Sequence, residues 1–181
     1  MENGAPAGVH EIRPVEARTL RQVCGNFVTG VTVITSELEG LQAGTTVNSF
    51  TSVSLEPPLV LICLHEQSRL GDMVRRSGRF VVNFLTGRQE RVAWAFAAKE
   101  TAVLGDVAHH GSGTAGPILS DALAFLACRL VDEFSGGDHR IFLGEVTQLG
   151  VHREDEPLVF FRGSMSALEP VAAAAHPIWD G

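Results

Sequence analysis

The chain has 181 residues, 45% of them hydrophobic, with 19 glycines and 8 prolines, which is enough for one compact core and too little for a second. Fourteen basic residues against 21 acidic ones give a formal net charge of -7, and the cations are scattered, with Lys99 the only lysine; a nucleic-acid-binding surface is excluded on that balance. Cys24, Cys63 and Cys128 are odd in number and widely spaced, so neither a disulfide framework nor a structural zinc site is indicated, and they read as buried thiols in a reducing compartment.

Residues 1–14 are rich in Gly, Ala and Pro near their start and lack the basic start and apolar core of a secretory signal, so they read as a loose tail and point to a cytoplasmic protein. After Pro14, Leu20, Val23, Cys24 and Phe27 recur at i, i+3, i+4 and i+7, which predicts an amphipathic helix lying over one mouth of the fold. Residues 30–35 are rich in β-branched side chains, as are residues 58–63, and Gly or Pro bounds each run: two strands. Between them, residues 44–55 also read as a strand. Residues 59–64 form the longest apolar run, far short of the ~20 residues of a membrane span, so no membrane association is expected. Ser68 as N-cap, an apolar stripe through Leu70, Met73 and Val74, and a terminal Gly78 predict a second helix.

Strands are expected again at 79–85, 123–131, 141–149 and 158–162, with a third helix at 89–98. About seven strands at hairpin-like spacing with a few short helices describe a mainly β protein and favour a barrel. Residues 15–168 form that single domain, and 169–181, with four successive alanines, read as an extension.

Gly111-Ser112-Gly113-Thr114-Ala115-Gly116 matches the dinucleotide fingerprint letter for letter, but His109-His110 precede it and Pro117 follows, where a strand and a helix are required. It reads as a surface loop, and the two histidines as solvated side chains without a metal partner. No metal site is expected anywhere in the chain. The stretch 44–54 is more informative, being strand-like yet loaded with small polar groups. A period of two puts Thr46, Asn48, Ser52 and Ser54 on one face, suited either to the polar edge of a heterocycle and its phosphate or to plain solvation of an edge strand.

Several blocks taken together resemble the short-chain flavin reductases, the reductase components of two-component flavin-dependent monooxygenases. They are Phe27-Val28-Thr29-Gly30-Val31-Thr32-Val33-Ile34-Thr35, the stretch from Gly44 to Ser54 running into Leu55-Glu56-Pro57-Pro58, and Gly78-Arg79-Phe80-Val81-Val82-Asn83-Phe84-Leu85. Downstream come Gly137-Asp138-His139 and Pro157-Leu158-Val159-Phe160-Phe161-Arg162-Gly163. In order, the match runs from about residue 18 to residue 168.

The resemblance implies an FMN-binding split β-barrel acting as an NAD(P)H:flavin oxidoreductase, with FMN or FAD as flavin and NADH or NADPH as hydride donor. It implies a homodimer, with reduced flavin diffusing to a separate monooxygenase. An alternative of the same fold is a flavin-binding or electron-carrier protein without nicotinamide turnover. By position, Gly44, Thr45, Thr46, Asn48 and Ser49 would line the isoalloxazine. Cys63, Leu64 and His65 would lie beside the flavin tail, and Ser68 and Arg69 near its phosphate. Ala95, Phe96 and Lys99 would close the site from the third helix, Lys99 being a surface lysine if it points outward. His139 would orient the nicotinamide, and Phe161, Arg162 and Gly163 would lie near its nucleotide. The chain departs from the pattern at Thr101-Ala102-Val103-Leu104, where an aromatic-basic pair is usual, and at Phe161, where tyrosine is usual.

Overall fold

The computed structural model describes residues 14–97, 102–105, 107–111, 116–152 and 155–168. In chain order its elements are α1 (Ala17–Cys24), β1 (Thr29–Gly30), β2 (Thr32–Leu38), β3 (Leu41–Val47), β4 (Thr51–Leu55), β5 (Pro58–His65), α2 (Arg69–Ser77), β6 (Arg79–Phe84) and α3 (Glu90–Phe96). There follow β7 (Ala102–Val103), β8 (His109–Gly111), β9 (Pro117–Leu119), β10 (Ala124–Gly136), β11 (His139–Val151), β12 (Leu158–Phe161) and β13 (Ser164–Ala167). No helix among the described residues is long and apolar enough to cross a membrane.

Eight strands pair in the order β4-β5-β11-β10-β6-β2-β3-β7, and β1-β12-β13 and β8-β9 form two small sheets. That order dictates a curled sheet. Strands β3 and β4 stand six spacings apart, roughly 28 Å in a flat sheet. Yet only Asn48, Ser49 and Phe50 join them, a link that reaches at most about 14 Å from Val47 to Thr51. The sheet must therefore roll until its two ends meet, and β3 does approach β5. At the seam the Ser49 hydroxyl stands in for a strand: Oγ donates to the Cys63 carbonyl at 2.9 Å and accepts from the Cys63 N–H at 3.0 Å. Residues 44–55 are thus two strands and a crossing, not one strand.

Residues 31–36 are buried without a break, because β2 and β6 are covered on both faces. One face, with Ile34, Val82, Phe80 and Phe142, fills the barrel together with Leu70, Met73 and Val74 of α2. The other, with Val33, Leu85 and Leu158, packs on Ala93 and Phe96 of α3. α2 forms from cap to cap as its sequence predicts: the Ser68 side chain accepts from the Gly71 N–H, and Gly78 ends the helix in the left-handed region at φ 69°. α1 departs from expectation, since none of its residues is buried and Leu20, Val23 and Phe27 face outward. Its contact with the body is made through the polar side instead. Cys24 is likewise exposed, while Cys128 is buried and its thiol is pushed up to about 12 by desolvation.

Of the six residues of the apparent dinucleotide fingerprint, only the two ends lie within the described set. Gly111 ends β8, Gly116 precedes β9, and the four residues between lie outside the described set. His109 is held, not solvated, with Nδ1 2.7 Å from the Val107 carbonyl and Nε2 2.8 Å from Gln42 Oε1.

Asn83, the one fully buried side-chain amide among the described residues, ties three segments together. Its Nδ2 donates to the Val33 carbonyl at 3.0 Å and to Thr35 Oγ1 at 3.1 Å, and its Oδ1 accepts from the Leu119 N–H at 2.9 Å. Thr35 Oγ1 in turn donates to the Pro117 carbonyl at 2.5 Å. Asn83→Leu should therefore destabilise the fold by about 2–4 kcal/mol, read as a lowered denaturant midpoint, since it strands buried partners in β2 and β9. Ser49→Ala should cost about 1–3 kcal/mol, with hydrogen exchange at the Cys63 amide accelerated well beyond that at Leu61.

Candidate functional site

β3 supplies one wall. Gly44 is buried, and a Cβ there would stand 3.1 Å from both the Ile34 carbonyl oxygen and Phe96 Cε1, so glycine is what lets α3 lie against the strand. Thr46 Oγ1 donates to the Ala93 carbonyl at 2.7 Å and Thr45 Oγ1 to the Phe96 carbonyl at 3.4 Å. Those carbonyls are among the last of α3, which have no partner within the helix. The two hydroxyls thus anchor α3, and Phe96 is buried in the second core while Ala95 is exposed. Lys99 lies outside the described residues. β7 pairs with β3 only at Ala43 and Gly44, so among the described residues the outer backbone edge of Thr45–Val47 has no strand beside it.

The other wall is the end of β5. Leu64 points into the barrel core, whereas Cys63 is half-buried and His65 is exposed. Burial pushes the Cys63 thiol up. β11 continues this wall: Ile141 pairs with Cys63 and His139 pairs with His65. The two imidazoles meet edge to face with centroids 5.5 Å apart. His139 Nδ1 lies 2.8 Å from Asp138 Oδ1, and the Asp138 carbonyl accepts the Glu66 N–H at 3.0 Å. The hydrogen bond from His139, followed by its charge, holds the Asp138 carboxyl below the usual carboxylate range. An ionised carboxylate only accepts, so Nδ1 of His139 carries the hydrogen and Nε2 is left to face a ligand. His65 Nδ1 accepts the Gln67 N–H at 3.2 Å, which fixes the neighbouring ring as well.

One continuous track follows: Thr45, Thr46 and Asn48 lead to Ser49, Ser49 is bound to Cys63, and Cys63 leads to His65, Ser68, Arg69 and His139. Thr46, Asn48, Ser52 and Ser54 do not share a face, because the strand breaks at Asn48–Phe50 and β4 carries a bulge between Ser52 and Ser54. At the end of the track, α2 presents the first-turn N–H groups of Arg69 and Leu70, which find no acceptor within the helix; the exposed Arg69 side chain lines a cavity with Leu38, Glu39 and Leu41 of the β2–β3 hairpin. An open strand edge, neutral donors and an anion-attracting helix start are the donor set that a flat, polar-edged heterocycle with a phosphate tail requires, so the residues present fit a phosphorylated flavin.

Phe161, Arg162 and Gly163 sit elsewhere in the chain, at the β12–β13 turn against α1. The Arg162 N–H donates to the Gly25 carbonyl at 3.0 Å, and its guanidinium donates to Asn26 Oδ1 at 2.9 and 2.7 Å. No contact between them and His139 is found among the described residues. Asn26 carries no motif and is separated from Arg162 by most of the sequence, so nothing short of the fold reveals the pairing. Asp138, in contrast, is legible next to His139, though as a turn former more readily than as the group that sets a tautomer.

The flavin reductase like domain matches residues 24–169. HsaB, the reductase subunit of a flavin-dependent monooxygenase from Rhodococcus jostii, is 38% identical over 92% of this chain and 85% of that protein. An NADH-dependent FAD reductase from Streptomyces globisporus is 36% identical over 89% of this chain and 91% of its own. Among solved structures, the Streptomyces globisporus NADH:FAD oxidoreductase in complex with NAD and FAD fragments aligns with a TM-score of 0.84 at 36% identity, covering 91% of this chain and 100% of that one. The flavin reductase PheA2 aligns with a TM-score of 0.79 at 38% identity, covering 86% and 100%. With the split, rolled sheet and the track along its seam, these likenesses establish that the chain belongs to the flavin reductase like domain family.

Proposed function

We propose that this protein is an NAD(P)H:flavin oxidoreductase that reduces FMN or FAD and supplies the reduced flavin to a separate flavin-dependent monooxygenase. The observation that carries the reading is the meeting of the Asn48–Ser49 crossing with the His65–His139 pair at the end of β5. Relatives support it by name, being reductase components of monooxygenases and NADH-dependent flavin or FAD reductases.

In this reading the bound cofactors supply the reacting atoms, hydride passing from the nicotinamide to the flavin, and the chain's task is alignment and exclusion of water. The backbone edge of Thr45–Val47 and the Asn48 side chain hold the flavin's polar rim. Ser68 and Arg69 hold its phosphate. His139, its Nδ1 hydrogen fixed by Asp138, offers Nε2 to the nicotinamide amide and sets the ring's rotation. Cys63 stays a neutral packed thiol beside the flavin. Exchange of reduced flavin takes place in the cytoplasm, where the three free cysteines stay reduced. The working unit is a homodimer, supported by the outward apolar stripe Leu20, Val23 and Phe27 of α1 and the segment after it, a surface that water does not favour.

Purified protein mixed with NADH or NADPH and free FMN or FAD should consume nicotinamide absorbance well above a protein-free control; a rate equal to the control would remove the reductase reading and leave the flavin-carrier alternative. His139→Ala should lower turnover by roughly tenfold to a hundredfold while leaving flavin affinity near wild type. Loss of flavin binding in that variant would put His139 in a different role. Val23→Glu should shift the sedimentation profile toward monomer.

A further inference from the structure

β10 leaves the body of the sheet beyond Arg129. Its pairing with β6 runs from Ala124 to Arg129, and the Leu130 N–H makes the last bond on that side, to the Gly78 carbonyl at the end of α2. From Val131 to Gly136 it has β11 on one side and, among the described residues, no strand on the other. A two-stranded ribbon twists more than the interior of a sheet. The tip of this one carries Asp138 and His139, so the lie of His139 over the seam depends on what fastens the ribbon. β5 holds the β11 edge, up to the pair His139–His65. The β10 side is held to α2 by charge.

Side chains alternate along β11. His139 and Ile141 lie beside His65 and Cys63, whereas Arg140 and Phe142 are on the face toward α2. The Phe142 ring is buried in the barrel core with Leu70, Met73 and Val74, and the Arg75 guanidinium lies 5.7 Å from its centroid. Glu133 stands opposite Phe142 in the β10–β11 register. Its two carboxylate oxygens accept from Arg75 Nε at 3.0 and 2.8 Å, and Oε1 also accepts from Arg140 Nε at 2.5 Å. Arg75 in turn meets Asp72, one turn earlier in the helix. An alternating row of charges, Asp72, Arg75, Glu133 and Arg140, thus runs from α2 across β10 to the residue after His139. The Glu133 side chain is 15% exposed and its two arginines 33% and 29%, against 64%, 79% and 61% for Arg76, Arg88 and Arg129 in their own ion pairs. Solvent therefore screens this row less than the others.

We infer that Glu133 is a positioning residue for His139: its carboxylate clamps the β10–β11 hairpin onto α2 and so fixes where the Asp138–His139 turn stands over the seam. The catalytic task this serves rests on the reductase reading. Glu133 touches no part of the candidate site and acts through Arg140, which shares a peptide bond with His139. Without the carboxylate, Arg75 and Arg140 face each other with no counter-ion between them, and their repulsion drives the hairpin tip away from the helix. The turn moves with the tip. Hydride transfer between two stacked rings depends on their alignment, and a displacement of about 1 Å at a group that aligns them is enough to slow it.

Glu133→Gln, which keeps the shape of the side chain and removes its charge, tests this in the full chain by two measurements. The Glu66 amide, bonded to the Asp138 carbonyl, should exchange hydrogen at least about fivefold faster than in wild type, while Val82 in β6 exchanges as before. Turnover of NADH with free flavin should fall by about threefold to tenfold with KM for the flavin unchanged. In a His139→Ala background the same substitution should change turnover by less than about twofold, because the residue it acts through is gone. Arg75→Met, which keeps an unbranched stem over Phe142 and loses the guanidinium, should give the same pattern and serves in place of Glu133→Gln if that variant does not fold. Unchanged exchange at Glu66, no loss of turnover, or an equal loss with and without His139 overturns the assignment. A wild-type protein that consumes no nicotinamide removes the reductase reading; exchange at Glu66 then decides the clamp by itself, acceleration upholding it and its absence overturning it.

Discussion

The short crossing between β3 and β4 is the constraint on which the molecule is built. Two strands at distant positions in the pairing order are tied by Asn48, Ser49 and Phe50, and the sheet has no choice but to roll. Rolling brings the open edge of β3 next to the end of β5, and it leaves a seam that no complete ladder closes. Ser49 bridges that seam with one hydroxyl used as both donor and acceptor. The candidate flavin track is the seam itself. A fully closed barrel would have satisfied the same backbone groups internally and left nothing for a ligand to bind.

Because the barrel is split, its stability is secured from outside as well as within. β2 and β6 carry apolar side chains to two cores at once, one shared with α2 and one with α3. The Asn83 amide fixes how β2, β6 and β9 stand relative to each other, which apolar packing alone does not specify. Thr45 and Thr46 then bind α3 to β3, the strand that forms one wall of the candidate site. Side chains that look like ligands in the sequence are therefore spent on architecture, and the groups left for a flavin at β3 are backbone groups and Asn48.

Much of this was legible in residues and some of it was not, for physical reasons. The helix from Ser68 to Gly78 was readable from end to end, since both caps and the apolar stripe are local. The strands around residues 30–35, 58–63 and 79–85 were readable because double burial leaves an unbroken β-branched run. The stretch 44–55 was misread as continuous, because a crossing that stays extended and polar has the same local signature as a strand. The stripe Leu20, Val23 and Cys24 is helical as its periodicity predicts, with Phe27 just past the helix end, but periodicity reports a face without saying what it meets; here none of these residues is buried by the described chain. Strands of two or three residues such as β7, β8 and β9 carry too little pattern to be read at all. Of the candidate site, the ends of β3 and β5 and the Gly-Asp-His turn are proposed from resemblance, whereas the pairing of Arg162 with Asn26 needs contacts between segments at opposite ends of the sequence.

The thiols divide the molecule into a chemically quiet interior and one reactive position. Cys128 and Cys63 are kept protonated by desolvation, the first strongly, and a protonated thiol is a poor target for peroxide or alkylating reagents. Cys24 alone is exposed, at the end of α1, one residue before the glycine that receives the Arg162 turn. A single fluorophore or spin label can thus be installed on the native chain beside the Arg162 turn, without engineering away competing cysteines, and would sit on the α1 face proposed to meet a second copy.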